Sequence, residues 1–136
     1  MSYFTNFQDT LFSTAELSKG EKEKIDIFLQ LLEDSGVGEI ICKETQRNKS
    51  LGGRNSYNPY RLFATIIYAF SKHSGSLRKI EESLKFDLRF MYINNQETPS
   101  YVTLSKFLNN IVVKYYEIIF SKITLAIINK YQLSID

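Results

Sequence analysis

The side chains best suited to chemistry lie between residues 98 and 110, where polar residues recur at helical spacing. At about 100° per residue, one face of a helix would carry Val102, Thr103, Ser105, Lys106, Asn109 and Asn110. Lysine and asparagine can hydrogen-bond base edges, serine and threonine can hold phosphates, and valine can contact a thymine methyl group. The spacing predicts a helix that reads duplex DNA, although an ordinary solvated face shows the same pattern.

The opposite face of this helix is apolar and would pack on the rest of the chain. It carries Leu104, Phe107, Leu108 and Ile111. Thr98 or Ser100 can cap the start by accepting a free backbone N–H, and Pro99 suits the first turn. Apolar residues keep helical spacing as far as Tyr131, so we expect one long uninterrupted helix. Its second half is apolar on more than one side and predicts a further contact, which includes a homodimer as one option.

Length and composition bound the class of protein. The chain has 136 residues, 43% of them hydrophobic and 14% aromatic, enough for one compact domain with a real core. We find neither an apolar run of about eighteen residues nor a basic and apolar leader, and expect a cytoplasmic protein with no membrane partner. The single Cys42 and single His73 do not make a set of zinc ligands. We expect no metal, no cofactor and no small-molecule substrate.

Charge is distributed unevenly along the chain. Residues 1–42 hold three lysines and eight acids, a balance of −5, whereas residues 43–89 hold ten basic residues and four acids, a balance of +6. Residues 90–136 carry four lysines and three acids, a balance of +1. A basic middle segment favours a polyanionic partner, and nucleic acid is the commonest one for such a domain.

Capping residues and apolar spacing predict an all-α fold with several helices. Ser18 begins a helix over 19–34, and the apolar segment 37–42 that follows fits a helix or a strand, of which we favour a short helix. The polar stretch 43–58 reads as a loop. Further helices are predicted to begin after Asn58, Ser76 and Asp87, before the helix described first.

No catalytic arrangement emerges from the sequence. Glu81 and Glu82 are the most tempting pair of metal ligands, but neighbouring side chains on a helix point about 100° apart. His73 has no serine or cysteine and acid at positions that would complete a triad. We therefore expect no catalytic residue in this chain.

Several short motifs occur in an order that resembles a known family. They are Gly53-Arg54-x-x-Tyr57-Asn58-Pro59, the helix from Tyr60 to Phe70, Ser76-Leu77-Arg78-Lys79-Ile80-Glu81, Phe86-Asp87-Leu88-Arg89-Phe90, and Pro99 with Thr103, Ser105 and Phe107. This order resembles the N-terminal domain of bacterial insertion-sequence transposases, and looks like the IS1182 group within the IS5-like assemblage. The likeness covers residues 52–110 best.

The resemblance implies a helix-turn-helix-like module that binds the terminal inverted repeats of its own element, as a nucleoid-associated protein. It also implies that catalysis belongs to an RNase H-like domain with an Asp, Asp, Glu metal-binding set, which we expect to be absent from this chain. We accordingly divide the chain into an acidic helical segment and loop, 1–51, and a helix-turn-helix-like DNA-binding domain, 52–136. A transposase assembly module and a transcriptional regulator are the alternative functions.

The predicted contacts with double-stranded DNA fall into two groups. The first group would hold the phosphate backbone and comprises Arg54, Arg61, Arg78 and Lys79. The second group lies on the polar helix face and comprises Val102, Thr103, Ser105, Lys106 and Asn109.

Overall fold

A computed structural model of the chain describes residues 3–5, 18–49, 57–72, 76–95 and 97–132. Within these ranges the protein has seven α-helices and no strand, so the predicted all-α fold is confirmed. In chain order they are α1 Lys19–Ser35, α2 Val37–Lys49, α3 Pro59–Ser71, α4 Leu77–Phe86, α5 Leu88–Ile93, α6 Tyr101–Phe107 and α7 Tyr116–Tyr131. A π-helical segment, Leu108–Val112, follows α6 directly.

Four of the predicted capping residues start helices as their chemistry requires. The Ser18 hydroxyl accepts from the Glu21 N–H, and the Asn58 side chain accepts from the N–H groups of Tyr60 and Arg61. Asp87 and Ser100 cap α5 and α6 in the same way. Asp87 also confirms the predicted break between α4 and α5, because its extended backbone separates the two helices.

The loop predicted over 43–58 is wrong in its first half, because α2 continues to Lys49. Hydrogen bonds of two side chains, Thr45 and Glu44, stabilise these polar residues as a helix. The Thr45 hydroxyl donates to the Ile41 carbonyl oxygen at 2.8 Å, and the buried Glu44 carboxylate accepts from Lys114 and Tyr115. A contact with a residue seventy positions along the chain is invisible to local spacing, which explains the error.

The long helix predicted from Ser100 to Tyr131 is also interrupted. The Val113 N–H donates to the Leu108 carbonyl oxygen at 2.8 Å, the bond of a π turn, and non-helical residues separate it from α7. Two causes coincide there. The β-branched run Ile111, Val112 and Val113 disfavours a regular helix, and Glu44 binds Lys114 and Tyr115 just where the helix ends.

One hydrophobic core joins all the helices, with α3 at its centre. Residues 61–66 of α3 are all buried, and α7 packs along α1. Both predicted segments, 1–51 and 52–136, contribute to this core. The boundary between them lies in 50–56, outside the described residues, and stays a prediction. Across the part of the chain that the structure describes, every helix is too short or too polar to span a bilayer.

Candidate nucleic-acid interface

The two faces predicted for α6 are present. Leu104 and Phe107 are buried, whereas Val102 is 46% exposed and Lys106 and Asn109 are exposed. Packing on the apolar face therefore leaves the polar face open to a partner.

The flank of α6 is completed by half-buried hydroxyl groups. Thr103 and Ser105 lie at its margins, and the Asn109 amide lies 3.5 Å from the Ser105 hydroxyl, at the long limit of a hydrogen bond. Asn109 belongs to the π segment, so its position follows a wider turn than the one assumed from the sequence. We call Val102, Thr103, Ser105, Lys106 and Asn109 the α6 flank.

Glu81 of α4 holds the first turn of α6. Its Oε1 accepts from the Tyr101 backbone N–H at 2.6 Å, and its Oε2 lies 3.9 Å from the Lys85 ammonium. The Ser100 hydroxyl accepts from the Thr103 N–H at 3.3 Å. These bonds satisfy two backbone donors that the start of a helix leaves without intrahelical partners. Packing between α4 and α6 thus fixes the α6 flank relative to α4.

Among the residues predicted to bind the phosphate backbone of DNA, Arg78 lies next to α6. Its guanidinium carbon lies 4.2 Å from the centre of the Tyr101 ring, in a cation–π arrangement, and the residue is exposed. Stacking restricts the guanidinium without consuming its N–H donors. Arg78 can therefore offer these donors to a phosphate beside the α6 flank.

Lys79 points to the other flank of α4. It lines an open cleft of about 790 Å³ between α4, α5 and α1, together with the acids Glu21 and Glu82 and the ion pair of Asp87 with Arg89. The structure therefore does not bring Lys79 and Arg78 to one surface. Nearby carboxylates also make this cleft a poorer place for a phosphate than the region around Arg78.

Arg61 lies in the core rather than on a surface. It is 8% exposed, and its guanidinium donates to the Ile93 carbonyl oxygen at 3.4 Å. Burial disfavours its charged form and lowers its pKa to about 10, against a weaker opposing effect of Glu97. Because this placement withholds the guanidinium from solvent, we leave Arg61 out of the interface proposed below. Arg54 lies outside the described residues.

Arg89 adds little free positive charge because it pairs with its neighbour Asp87. One guanidinium nitrogen lies 2.8 Å from Asp87 Oδ2, and a second donates to Oδ1 at 3.1 Å. The hydrogen bonds from Arg89 lower the pKa of Asp87, although partial burial opposes them. The basic residues over 43–89 therefore do not form one patch, because Arg61 is buried and Arg89 is paired. Among the described residues predicted to bind the DNA backbone, Arg78 alone lies beside α6.

The sequence did not indicate the roles of Glu81 and Tyr101. Glu81 was considered only with Glu82 as a metal pair, and within the ranges that the structure covers no group of three metal-binding side chains occurs. The available signal was the spacing of Arg78 and Glu81, three residues apart on the side of α4 that meets α6. That spacing could be recognised only once the packing of α4 on α6 was known.

The fold and this surface define an all-α domain that exposes one polar helix flank beside an arginine. The chain belongs to the family described as Transposase domain (DUF772), whose model matches residues 15–110. That match takes in α1 to α6 and ends within the π segment. No curated protein and no solved structure matches the chain.

Proposed function

We propose that this transposase-family domain binds DNA and recognises the terminal inverted repeats of its own insertion sequence. The observation that carries the proposal is the α6 flank, which exposes Val102, Lys106 and Asn109 while Leu104 and Phe107 anchor the helix in the core. Surfaces of this composition suit base edges and phosphates together. The family match supports a transposase role without specifying the ligand.

Each exposed side chain has a role that follows from its chemistry. Lys106 and Asn109 would hydrogen-bond base edges, Val102 would contact a thymine methyl group, and Thr103 and Ser105 would reach phosphates. Arg78, held by Tyr101, would bind the backbone beside them. Lys79 and Arg54 stay predicted contacts with the DNA backbone, but the proposal does not depend on them.

The finer assignment follows the motif order rather than the structure. We infer that the element is IS1182-like, and that strand cleavage and joining belong to a DDE-type catalytic domain elsewhere in the transposase. In this arrangement the present domain selects the DNA end, and it would act at the nucleoid.

The proposal is tested by measuring duplex affinity as a function of salt. If Arg78 and neighbouring cations neutralise phosphates, affinity should fall steeply between about 50 and 200 mM salt, because counterions are released on binding. Fluorescence anisotropy with a duplex carrying the element's terminal repeat, and with a shuffled duplex of the same composition, gives both the slope and the discrimination. Affinity indifferent to salt, or equal for both duplexes, would contradict the proposal.

A second candidate function is assembly of two transposase chains through α7. Tyr116, Ile118, Phe120 and Leu125 are each more than half exposed on this helix. Apolar groups left in water at this density are typical of a surface that another molecule covers. Both functions can belong to one domain, because bringing two DNA ends together requires binding and pairing. Sedimentation that finds only monomer at high concentration would count against assembly.

A further inference from the structure

Glu81 of α4 hydrogen-bonds the backbone at the start of another helix, α6. Tyr101 is the first residue of α6, and its N–H is one of the donors that a helix start leaves without an intrahelical partner. Glu81 Oε1 accepts that N–H at 2.6 Å from a neighbouring helix. A carboxylate bound to a backbone N–H at this end of a helix is favoured by both charge and the helix dipole.

This contact sets where α6 begins relative to α4. The helix has only seven residues, and its buried anchors Leu104 and Phe107 are the fourth and the last of them. The first half is held by the Glu81 bond and by the stacking of Arg78 on Tyr101. Loss of the Glu81 carboxylate would therefore free the end of α6 nearest Val102, while the core anchors stay in place.

The same carboxylate constrains how α6 can approach a duplex. Helix starts often bind phosphates through free N–H groups and the positive end of the helix dipole. Here Glu81 takes the Tyr101 N–H and adds a negative charge, which the Lys85 ammonium at 3.9 Å offsets only in part. A phosphate approaching the end of α6 would meet this charge, whereas the α6 flank lies along the side of the helix.

We propose that Glu81 is a positioning residue that anchors the first turn of α6 on α4 and directs the helix to meet DNA through the α6 flank rather than through its end. The second part of this inference, the direction from which α6 meets DNA, rests on the proposed DNA-binding function. The anchoring half concerns the free protein and can be measured without DNA.

Anchoring is tested by hydrogen exchange of backbone amides in Glu81→Ala, with Glu82→Ala as the matched control. Glu82 is an exposed residue of the same charge on the same helix. Glu81→Ala should lower protection of the Tyr101 amide about tenfold, the scale of one lost charge-assisted hydrogen bond, with the core amides of α3 unchanged. Equal protection in the two variants would overturn the anchoring role, whatever the chain binds.

Positioning for recognition is tested by the discrimination between terminal-repeat and shuffled duplexes. Glu81→Ala should reduce discrimination about tenfold, and Glu82→Ala should leave it unchanged. Glu81→Gln keeps a carbonyl acceptor of the same length, so it should rescue most of the discrimination lost in Glu81→Ala. If Gln fails to rescue, or if Ala and the control discriminate equally, Glu81 does not position α6 for recognition.

The Glu81→Gln variant also separates the two directions of approach. If the duplex meets the α6 flank, the affinity of Glu81→Gln for shuffled DNA should change less than about twofold, because solvent and salt screen the carboxylate from the phosphates that Arg78 holds. A duplex meeting the end of α6 would gain affinity severalfold when the negative charge is removed, and that result would overturn the flank approach. Wild-type protein that binds no duplex would contradict the proposed function, and the exchange experiment would still decide the anchoring.

Discussion

Lys106 and Asn109 are the side chains on which discrimination between DNA sequences should depend most. Both are exposed, and both can form directed hydrogen bonds with base edges, whereas Thr103 and Ser105 are half-buried hydroxyls at the margin of the flank. The Asn109 amide also touches the Ser105 hydroxyl, which restricts its orientation.

Replacing these two residues should weaken sequence discrimination more than overall binding. Lys106→Ala and Asn109→Ala should each cost about 1 to 3 kcal/mol of discrimination between the terminal repeat and a shuffled duplex. Lys130→Ala and Asn129→Ala remove the same groups from exposed positions on α7 and should discriminate like the wild type. Competition binding measures all four variants. Unchanged discrimination in the α6 variants would remove these residues from the interface.

Asp87 combines a helix cap with an ion pair, and two substitutions separate these roles. Asp87→Asn can still accept the Arg89 N–H and cap α5, but it loses the charge that pairs with the Arg89 guanidinium. Asp87→Ala loses both and should cost about 1 kcal/mol more, as other lost caps do.

The pH dependence of stability should show the ion pair directly. Hydrogen bonds from Arg89 lower the pKa of Asp87 below its ordinary value of 3.8, so the folded state favours the charged carboxylate. This contribution is present above the unfolded pKa and is lost as the pH falls through the folded one. Urea unfolding at pH 7 and pH 3 should therefore show a smaller pH effect in Asp87→Asn than in the wild type. Equal pH effects would show that the pair contributes nothing.

At the scale of helices, the contact between α2 and the start of α7 determines the shape of the second half of the chain. Glu44 is 4% exposed and accepts from the Lys114 ammonium and the Tyr115 hydroxyl, each at 2.8 Å. These bonds hold the non-helical residues between the π segment and α7. A continuous helix would carry Lys114 and Tyr115 around different sides, since neighbours on a helix lie about 100° apart.

Removing the Tyr115 hydroxyl should therefore destabilise the protein measurably. Tyr115→Phe deletes one hydrogen bond to a buried carboxylate and should cost about 1.5 to 3 kcal/mol in the free energy of unfolding. Tyr116→Phe is the matched control, because Tyr116 is the next residue in the chain and is 60% exposed. Chemical denaturation compares the two variants. A cost within error of the control would mean that the hydrogen bond from Tyr115 to Glu44 contributes nothing to stability.

Predictability differed between elements for physical reasons. Helix starts at Ser18, Asn58 and Asp87 were predictable, because a cap is made by side chains a few residues from the N–H groups that they bind. The extension of α2 was not predictable, because Glu44 joins residues seventy positions apart. The break before α7 was not predictable either, because the β-branched run 111–113 disfavours a helix only weakly without that contact. Local spacing gives only the tendency of a segment, and tertiary contacts overrode it at both places.

The candidate site was predictable to the same extent. The faces of α6 follow from helical spacing within ten residues, so the exposure of Lys106 and the burial of Leu104 were both anticipated. The burial of Arg61 was not, because it depends on α3 lying at the centre of the core and on the carbonyl of Ile93 in α5.

At the scale of the whole molecule, α7 joins the last part of the described chain to the first. It packs along α1, its buried residues include Ile119 and Ala126, and Ile119 belongs to the same hydrophobic core as α3. The family match ends before α7, at residue 110. The helix therefore stabilises the domain with one side and leaves other apolar side chains in water, which is the basis of the assembly proposal.

Charged residues placed on the exposed side of α7 should prevent self-association without unfolding the domain. Phe120 and Leu125 are 60% and 56% exposed, so Phe120→Glu and Leu125→Glu displace no core contact. In an interface each would bury an unpaired carboxylate and should weaken association by several kcal/mol.

The control is Gln30→Glu, which adds the same charge at an exposed polar position of α1, outside the proposed interface, and should associate like the wild type. Sedimentation velocity over a range of concentrations should show association for the wild type and, at lower affinity or not at all, for the two apolar variants. Circular dichroism would verify that all three variants keep their helices. Because the two proposals assign assembly and DNA binding to different helices, the Phe120 and Leu125 variants should still bind one terminal repeat with wild-type salt dependence but should not pair two of them. Loss of single-end binding in these folded variants would mean that α7 also takes part in the DNA interface.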